Sequence, residues 1–366
     1  MIKSYKFILV LLITFTVTYM ACFAIATEYN NIQYANAMEK VNEGLLLTLP
    51  VKNGLSSETN IIYNEVKQLS PKNNLILIGP STVRDGIIIN ESKIPKSWDI
   101  HNFAISGVQL SECMLLVNYI DAYANHKPDR SDVIVFHMSY FTFFDSPEDQ
   151  QYVTQNIEAY GFYTIDENLH VHGYMPDAYR EWILSKEEIM APLSDITGIN
   201  KFSVGQSAYL KIEDISTIIL NSFNKPASSG TIATSPSPEE IEQYGLIWQQ
   251  RSQNITFTPE KTKQFEAFLR DVNNQTNIVI INMYLPSWQK DLEKQKEYQN
   301  WSQSELIPFL KENNITYIDF SNSFSDNEFA DSGHLNDAGR EHFTRAFDSN
   351  ITPLLENISR KSDDLQ

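Results

Sequence analysis

Short apolar runs recur along much of the chain, and polar residues or glycine bound each of them. Unbroken runs of this kind are typical of strands that are buried on both faces, as in a parallel sheet. The pattern predicts such strands at residues 74–78, 98–104, 132–136, 277–285 and 316–320.

Apolar residues at helical spacing lie between these runs. They predict helices at residues 109–124, 257–272, 302–312 and 335–348. The second of these begins near Thr258-Pro259-Glu260, and proline is favoured at the first position of a helix. Strands that alternate with helices predict an α/β fold, here a three-layer, doubly wound, mostly parallel sheet with helices on both faces.

The alternation stops between residues 145 and 256. The simplest interpretation is one α/β domain, formed by residues 73–144 and 257–350, with residues 145–256 inserted into it. A helical lead-in (28–72) and a tail (351–366) complete the predicted organisation.

The predicted insertion follows the third strand. An insertion there lies at the carboxyl ends of the strands, where active sites form in such sheets. We therefore expect a cap or a partner-docking surface, and ordinary surface elaboration is the alternative. Within it, residues 225–239 are rich in proline and serine and predict an exposed loop.

The first 27 residues have the character of a membrane-directed segment. Residues 7–26 carry no charge, and Lys3 and Lys6 precede them. Twenty helical residues at ~1.5 Å each span the ~30 Å hydrocarbon core of a bilayer. Because positive residues stay on the cytoplasmic side, we expect a single-pass membrane protein whose main domain is extracytoplasmic, in the periplasm or at the cell surface. A small-x-small sequence at 24–26 leaves a cleaved signal and a secreted protein as the alternative.

Charge and cysteine content exclude several classes of protein. The 366 residues include 46 acidic and 28 basic side chains, a net charge of −18, whereas binding to nucleic acid needs clustered basic residues. There are two cysteines, and one of them, Cys22, lies in the apolar N-terminal run, so a disulfide framework and a Cys-rich zinc site are excluded. His170 and His172 are the remaining metal candidates. No acidic or cysteine ligand follows them at useful spacing, and we expect neither a metal nor another cofactor.

Residues with useful chemistry follow three of the predicted segments. Ser81 comes directly after the first strand, where a strand-to-helix turn projects the hydroxyl toward backbone N–H groups. Gly107 follows the second strand, and glycine permits close backbone approach to a ligand oxygen. Asp331 and His334 precede the last helix at a spacing that lets a carboxylate orient an imidazole base. Taken singly, these residues have plainer interpretations, namely a helix cap, a simple turn and an exposed histidine.

The order of these pieces resembles the SGNH, or GDSL-like, hydrolase superfamily. In that family a serine follows the first strand, a glycine lies in the second block, and an Asp-x-x-His pair lies near the carboxyl end. The resemblance implies that Ser81 is the nucleophile, His334 the base and Asp331 its partner. It further implies an oxyanion site formed by the N–H groups of Ser81 and Gly107.

The third block of the family often contains an asparagine, and this chain has none at that place. After the third strand it reads Phe136-His137-Met138-Ser139. Ser139 lies nearest the expected position and is the candidate third oxyanion donor, and His137 is the other donor candidate. Arg84 and His137 are also candidate substrate contacts, and a structural ion pair is the alternative for Arg84.

The predicted anchor and the Gly-Pro-Ser-Thr-x-Arg block resemble one branch of the superfamily, the membrane-anchored proteins that act beside membrane-bound O-acyltransferases. That resemblance implies an acyl-esterase or O-acyltransferase that acts on a cell-envelope or exported glycan. Its expected partners are a glycan or acylated small molecule and a membrane-bound O-acyltransferase. The alternative is a non-catalytic envelope protein of the same fold that binds a glycan or docks the acyltransferase.

Overall fold

The computed structural model describes residues 65–71, 73–143, 163–166, 169–173, 235–253, 255–256 and 259–363, together with residues 14, 17, 61, 153, 154 and 157. Glu58–Tyr174 and Ile232–Gln366 form one compact unit, which contains the sheet. Met1–Ser57 and Met175–Thr231 form a second unit, in which only Thr14 and Val17 are described, and both are helical.

The described chain contains a five-stranded sheet and a two-stranded hairpin. The strands are β1 (Asn73–Ile78), β2 (Trp98–Asn102), β3 (Val133–Met138), β4 (Tyr163–Ile165), β5 (Val171–Gly173), β6 (Asn277–Asn282) and β7 (Thr316–Asp319). The large sheet has the order β2-β1-β3-β6-β7, and every neighbouring pair in it is parallel. The β4–β5 hairpin is antiparallel. The predicted α/β class and the mostly parallel sheet are confirmed.

The helices are α1 (Ser81–Gly86), α2 (Leu110–Tyr123), α3 (Tyr140–Phe143), α4 (Pro238–Ser252), α5 (Pro259–Gln275), α6 (Ser287–Lys290), α7 (Glu293–Trp301), α8 (Ile307–Glu312) and α9 (Asp337–Asp363). A π-helical turn, Ser302–Leu306, joins α7 to α8. Short 3₁₀ turns lie at Val66–Gln68, Ile89–Glu91 and Asp326–Glu328.

Helices cover both faces of the sheet, which is why its central strands β1, β3 and β6 are buried almost throughout. The edge strands β2 and β7 are only partly buried. Leu75 of β1 belongs to the same buried cluster as Phe343 of α9. Phe136 of β3 points to the other face, and its ring centroid lies 6.1 Å from Phe265 and 5.9 Å from Phe268 of α5. Alternate strand positions face opposite sides of a sheet, so a strand with helices on both sides shows no polar alternation.

The parallel order also fixes where a site can form. The carboxyl ends of all five strands meet at one edge of the sheet, which we call the carboxyl edge. From β1 the chain runs outward to β2 and then returns past β1 to β3. The connections after β1 and β3 therefore diverge, which opens a crevice at this edge of the sheet.

Two sequence predictions need correction. The closing helix, predicted over 335–348, begins at Asp337 and continues to Asp363, and Ile351 and Leu355 within it are fully buried. Residues 351–363 are therefore part of the packed α9 rather than a tail. The predicted loop at 225–239 ends early, because Ser237 and Glu240 form a capping box that starts α4 at Pro238.

Within the part of the chain that the structure describes, no helix is both long and apolar enough to cross a membrane. The predicted membrane segment at 7–26 lies outside the described residues except for Thr14 and Val17. Most of the predicted lead-in (28–72) and much of the predicted insertion (145–256) also lie outside them. The described α4, at the end of that insertion, belongs to the same compact unit as the sheet.

Candidate active site

The turn after β1 places Ser81 at the carboxyl edge of the sheet. β1 ends at Ile78, and α1 begins at Ser81 after Gly79 and Pro80. A Cβ atom on Gly79 would lie 2.9 Å from Cγ2 of Val83 and 3.0 Å from Cβ of His137. Only glycine fits there without displacing its neighbours, so the tight strand-to-helix turn that presents Ser81 depends on it.

Ser81, His334 and Asp331 form a continuous hydrogen-bonded chain. Oγ of Ser81 lies 2.8 Å from Nε2 of His334. Nδ1 of His334 lies 2.9 Å from Oδ2 and 3.0 Å from Oδ1 of Asp331. The structure thus brings Ser81 to the Asp331–His334 pair, which lies about 250 positions further along the sequence.

The loop that carries Asp331 and His334 is closed by its own backbone. Phe329 and Leu335 form an antiparallel bridge, and the N–H of Ala330 donates to the carbonyl of His334 over 2.8 Å. Oδ1 of Asp331 accepts the N–H groups of Gly333 and His334, each over 2.8 Å. The Asp-x-x-His spacing therefore lets one carboxylate hold both the turn and the imidazole.

The electrostatics of the pair suit a base and its partner. The hydrogen bond from Asp331 raises the pKa of His334, although partial burial opposes the rise. Partial burial disfavours the charged carboxylate of Asp331, but the hydrogen bonds from His334 and the loop backbone outweigh it and lower its pKa. Their side chains are 37% and 52% exposed, so substrate and solvent can reach the pair. Asp331 thus stays ionised while His334 is able to accept a proton.

Backbone donors lie near the serine. Ser81 begins α1, and the first N–H groups of a helix have no partner within it. Gly107 has a φ of +70° in the turn after β2, and among the described residues its N–H donates no hydrogen bond. The Ile105 N–H donates to the Gly79 carbonyl over 2.9 Å, which ties the glycine turn to the serine turn. The two turns thus lie side by side at the carboxyl edge.

Ser139 and His137 lie in different environments at the end of β3. Oγ of Ser139 lies 3.1 Å from Oγ1 of Thr142 and accepts the Thr142 N–H over 3.4 Å, so it caps α3. His137 is 1% exposed, and its ring stacks on Phe347 of α9 at 6.1 Å. Burial lowers the pKa of His137 to about 3, so its ring is neutral. The expectation that His137 contacts substrate is wrong, because β3 turns this side chain into the core.

The contacts of Arg84 favour the structural ion pair over a contact with substrate. Its guanidinium donates two hydrogen bonds of 2.9 Å to Asp85 and one of 2.5 Å to Ser106, next to Gly107. Its side chain is one quarter exposed. Arg84 therefore links the serine turn to the glycine turn.

Trp248, Trp288 and Gln289 contact the Asp331–His334 loop, and no sequence motif indicates this. The Ser332 carbonyl, inside the Asp331–His334 loop, accepts hydrogen bonds from Trp248, Trp288 and Gln289. These donors lie 43 to 84 residues from Ser332 along the chain. No local spacing could have indicated them, because only the fold of the chain brings them to this loop.

Two other clusters of histidine and aspartate lie away from this site. The potential ligand atoms of His126, Asp129 and Asp132 lie within 4.8 Å of one another. Asp132 is fully buried, and its oxygens already accept hydrogen bonds, so the cluster is a hydrogen-bonded junction. The predicted metal candidates His170 and His172 instead lie 3.3 and 3.1 Å from one oxygen of Asp166, all partly exposed on the hairpin.

Comparison of the chain with protein-family models and with curated protein sequences found no match. The assignment of a function therefore rests on the geometry of the site and on the motif resemblance.

Proposed function

We propose that this protein is an SGNH-like serine acyl-esterase or O-acyltransferase, with Ser81 as nucleophile, His334 as base and Asp331 as its partner. The observation that carries the proposal is the Ser81–His334–Asp331 chain of hydrogen bonds at the carboxyl edge. Serine, histidine and aspartate in this arrangement activate a hydroxyl for attack on an acyl carbonyl. The doubly wound sheet and its diverging loops support the same class.

The proposed reaction has two halves. Oγ of Ser81 attacks the acyl carbonyl carbon while Nε2 of His334 accepts the hydroxyl proton. The N–H groups of Ser81 and Gly107 stabilise the oxyanion. The tetrahedral intermediate then collapses, the bond to the leaving alcohol breaks, and His334 returns its proton to that alcohol. In the second half, water or an acceptor hydroxyl attacks the acyl-serine and His334 takes its proton. The bond between Oγ of Ser81 and the acyl carbon then breaks, the acid or the new ester leaves, and His334 returns the proton to Oγ of Ser81.

The substrate and location follow from the resemblance and remain part of the proposal. We propose a cell-envelope or exported glycan as the acylated molecule and a membrane-bound O-acyltransferase as the partner. The charge of −18 favours a neutral or locally held substrate over a polyanion bound along a broad face. The proposed extracytoplasmic location and membrane attachment are inferred from the sequence of residues 1–27.

A second candidate is a non-catalytic protein of the same fold that binds a glycan or docks the acyltransferase. The observation that favours it is the absence of the family's block-three asparagine after β3. The nearest residue, Ser139, accepts the Thr142 N–H at the start of α3. Loss of one oxyanion donor costs ~10²–10³ in rate.

Hydrolysis of p-nitrophenyl acetate separates the two candidates. We expect the purified chain to release nitrophenol, Ser81→Ala to abolish release, and Ser349→Ala to leave it unchanged. Ser349 is the matched control because its exposed hydroxyl only bonds the Arg345 carbonyl one turn earlier in α9. A parent protein without activity would favour the non-catalytic candidate, and full activity in Ser81→Ala would remove Ser81 from the role of nucleophile.

A further inference from the structure

One peptide carbonyl in the Asp331–His334 loop accepts an unusual number of side-chain hydrogen bonds. The Ser332 oxygen lies 2.9 Å from Nε1 of Trp248, 3.0 Å from Nε1 of Trp288 and 2.8 Å from Nε2 of Gln289. A carbonyl oxygen has two lone pairs, and three donors exceed that number. The carbonyl groups of surface turns usually accept hydrogen bonds from water. Here the donors are side chains from other parts of the fold, so the protein itself holds the turn.

The held peptide is the one that contacts the Asp331 carboxylate. The carbonyl of Ser332 and the N–H of Gly333 belong to the same peptide unit, and that unit is planar. The Gly333 N–H donates to Oδ1 of Asp331 over 2.8 Å. Fixing the Ser332 oxygen therefore fixes the direction of the N–H that orients the carboxylate opposite Nδ1 of His334.

The donors are themselves held firmly. Trp248 is 9% exposed, and its ring lies 5.5 Å from Phe141. Gln289 is 5% exposed, and the Trp288 ring lies 5.6 Å from Phe329, beside the Asp331 loop. Trp248 comes from α4 and the other two donors from α6. Rigid donors on two helices hold a peptide more precisely than mobile surface side chains, since little ordering entropy remains to be lost.

We propose that Trp248, Trp288 and Gln289 are positioning residues that clamp the Ser332–Gly333 peptide and thereby hold Asp331 against His334. The proposal rests on the function given above, because it assigns these residues a role in that reaction. None of them touches the reacting atoms. Their effect reaches Ser81 through the planar peptide, the carboxylate and the imidazole, in that order.

The clamp has a consequence that a purely structural role does not have. The bond from Asp331 is the largest cause that raises the pKa of His334. A loosened Ser332–Gly333 peptide lets the carboxylate turn away, so the pKa of His334 falls. The base is then less well oriented in every turnover, which lowers kcat, while substrate binding and hence KM change little.

The test uses the full chain and the variants Trp288→Phe, Trp248→Phe and Gln289→Met, which remove one donor each and keep most of the packing. Trp98→Phe is the matched control. Trp98 is 4% exposed at the start of β2, and its Nε1 donates a hydrogen bond to Oγ of Ser359 over 3.2 Å. Trp98→Phe therefore removes a hydrogen bond of a buried indole at the opposite edge of the sheet from the site.

We expect each clamp variant to lower kcat on p-nitrophenyl acetate about three- to tenfold, the factor that one hydrogen bond contributes, with KM changed less than about twofold. A proton NMR titration should show a lower pKa for His334, whose signals are assigned by their loss in His334→Gln. Trp98→Phe should leave both unchanged.

An unchanged His334 titration in the folded clamp variants would overturn the clamp, as would an equal fall of kcat in Trp98→Phe. The titration needs no turnover, so it decides the clamp even in an inactive protein. By contrast, activity that survives Ser81→Ala would overturn the proposed function and leave the titration result standing.

Discussion

Two Asp–His pairs lie at opposite edges of the same sheet, and only one of these two continues to a serine hydroxyl. At the amino edge, Nε2 of His126 lies 3.1 Å from Oδ2 of Asp132. At the carboxyl edge, Nδ1 of His334 lies 2.9 Å from Asp331. The distances alone do not separate the two pairs, so the difference must come from what surrounds them.

The surroundings differ in two respects. Asp132 is fully buried, and its carboxylate also accepts the backbone and side-chain N–H groups of Asn74, each over 2.7 Å. Asp331 is half exposed, and beyond its histidine lies a third group, the Ser81 hydroxyl. A buried, saturated pair stabilises the fold, whereas an accessible pair that ends on a hydroxyl can move a proton.

The largest expected effect is on activity. We expect His334→Gln to lower kcat/KM on p-nitrophenyl acetate about 10⁴-fold or more, because a serine without its base is a poor nucleophile. The matched substitution His126→Gln should change kcat/KM by less than about twofold. Steady-state kinetics on both variants check this, and equal losses would remove the distinction between the two pairs.

The next effect is on stability and has the opposite pattern. We expect Asp132→Asn to lower the free energy of unfolding by about 2–4 kcal/mol, because an amide nitrogen replaces a buried acceptor opposite N–H donors. Asp129→Asn, at a carboxylate that is 58% exposed in the same cluster, should cost less than about 1 kcal/mol. Urea denaturation measures both. Similar costs for the two variants would show that Asp132 is not the centre of the junction.

The sequence could predict the parts of the site that depend on local order. Ser81 and Gly107 follow predicted strands, and Asp331 and His334 share one turn, so strand ends and spacing marked them as candidates. Their assignment to one site came from the resemblance of the motif order to a known family. A five-stranded parallel sheet followed from apolar runs, and its strands were placed within a few residues.

The misses have identifiable physical causes. His137 was assigned to the site because the sequence does not tell which face of β3 a buried side chain occupies. The start of α4 was missed although Ser237 and Glu240 form a capping-box pair, because proline and serine dominate that stretch. The clamp on Ser332 could not be found at all, since the donors and the carbonyl meet only through tertiary packing.

The smallest expected effect is a displacement of the pH profile. His334 acts as a base only when neutral, and Asp331 raises its pKa, so kcat/KM should rise with pH through a value above that of an ordinary histidine. Asp331→Asn removes the largest cause of that rise, so its weaker residual activity should appear at lower pH. A pH–rate profile of both proteins checks the direction. An unmoved or upward-moved limb would show that Asp331 does not set the titration of His334.

The most direct test of the central claim is the site of reaction with a fluorophosphonate, mapped by mass spectrometry of peptides from the labelled chain. A nucleophilic Ser81 predicts one adduct on the peptide that contains Ser81, and its absence in both Ser81→Ala and His334→Gln. An adduct on another serine, or labelling of Ser81 that does not depend on His334, would contradict the account.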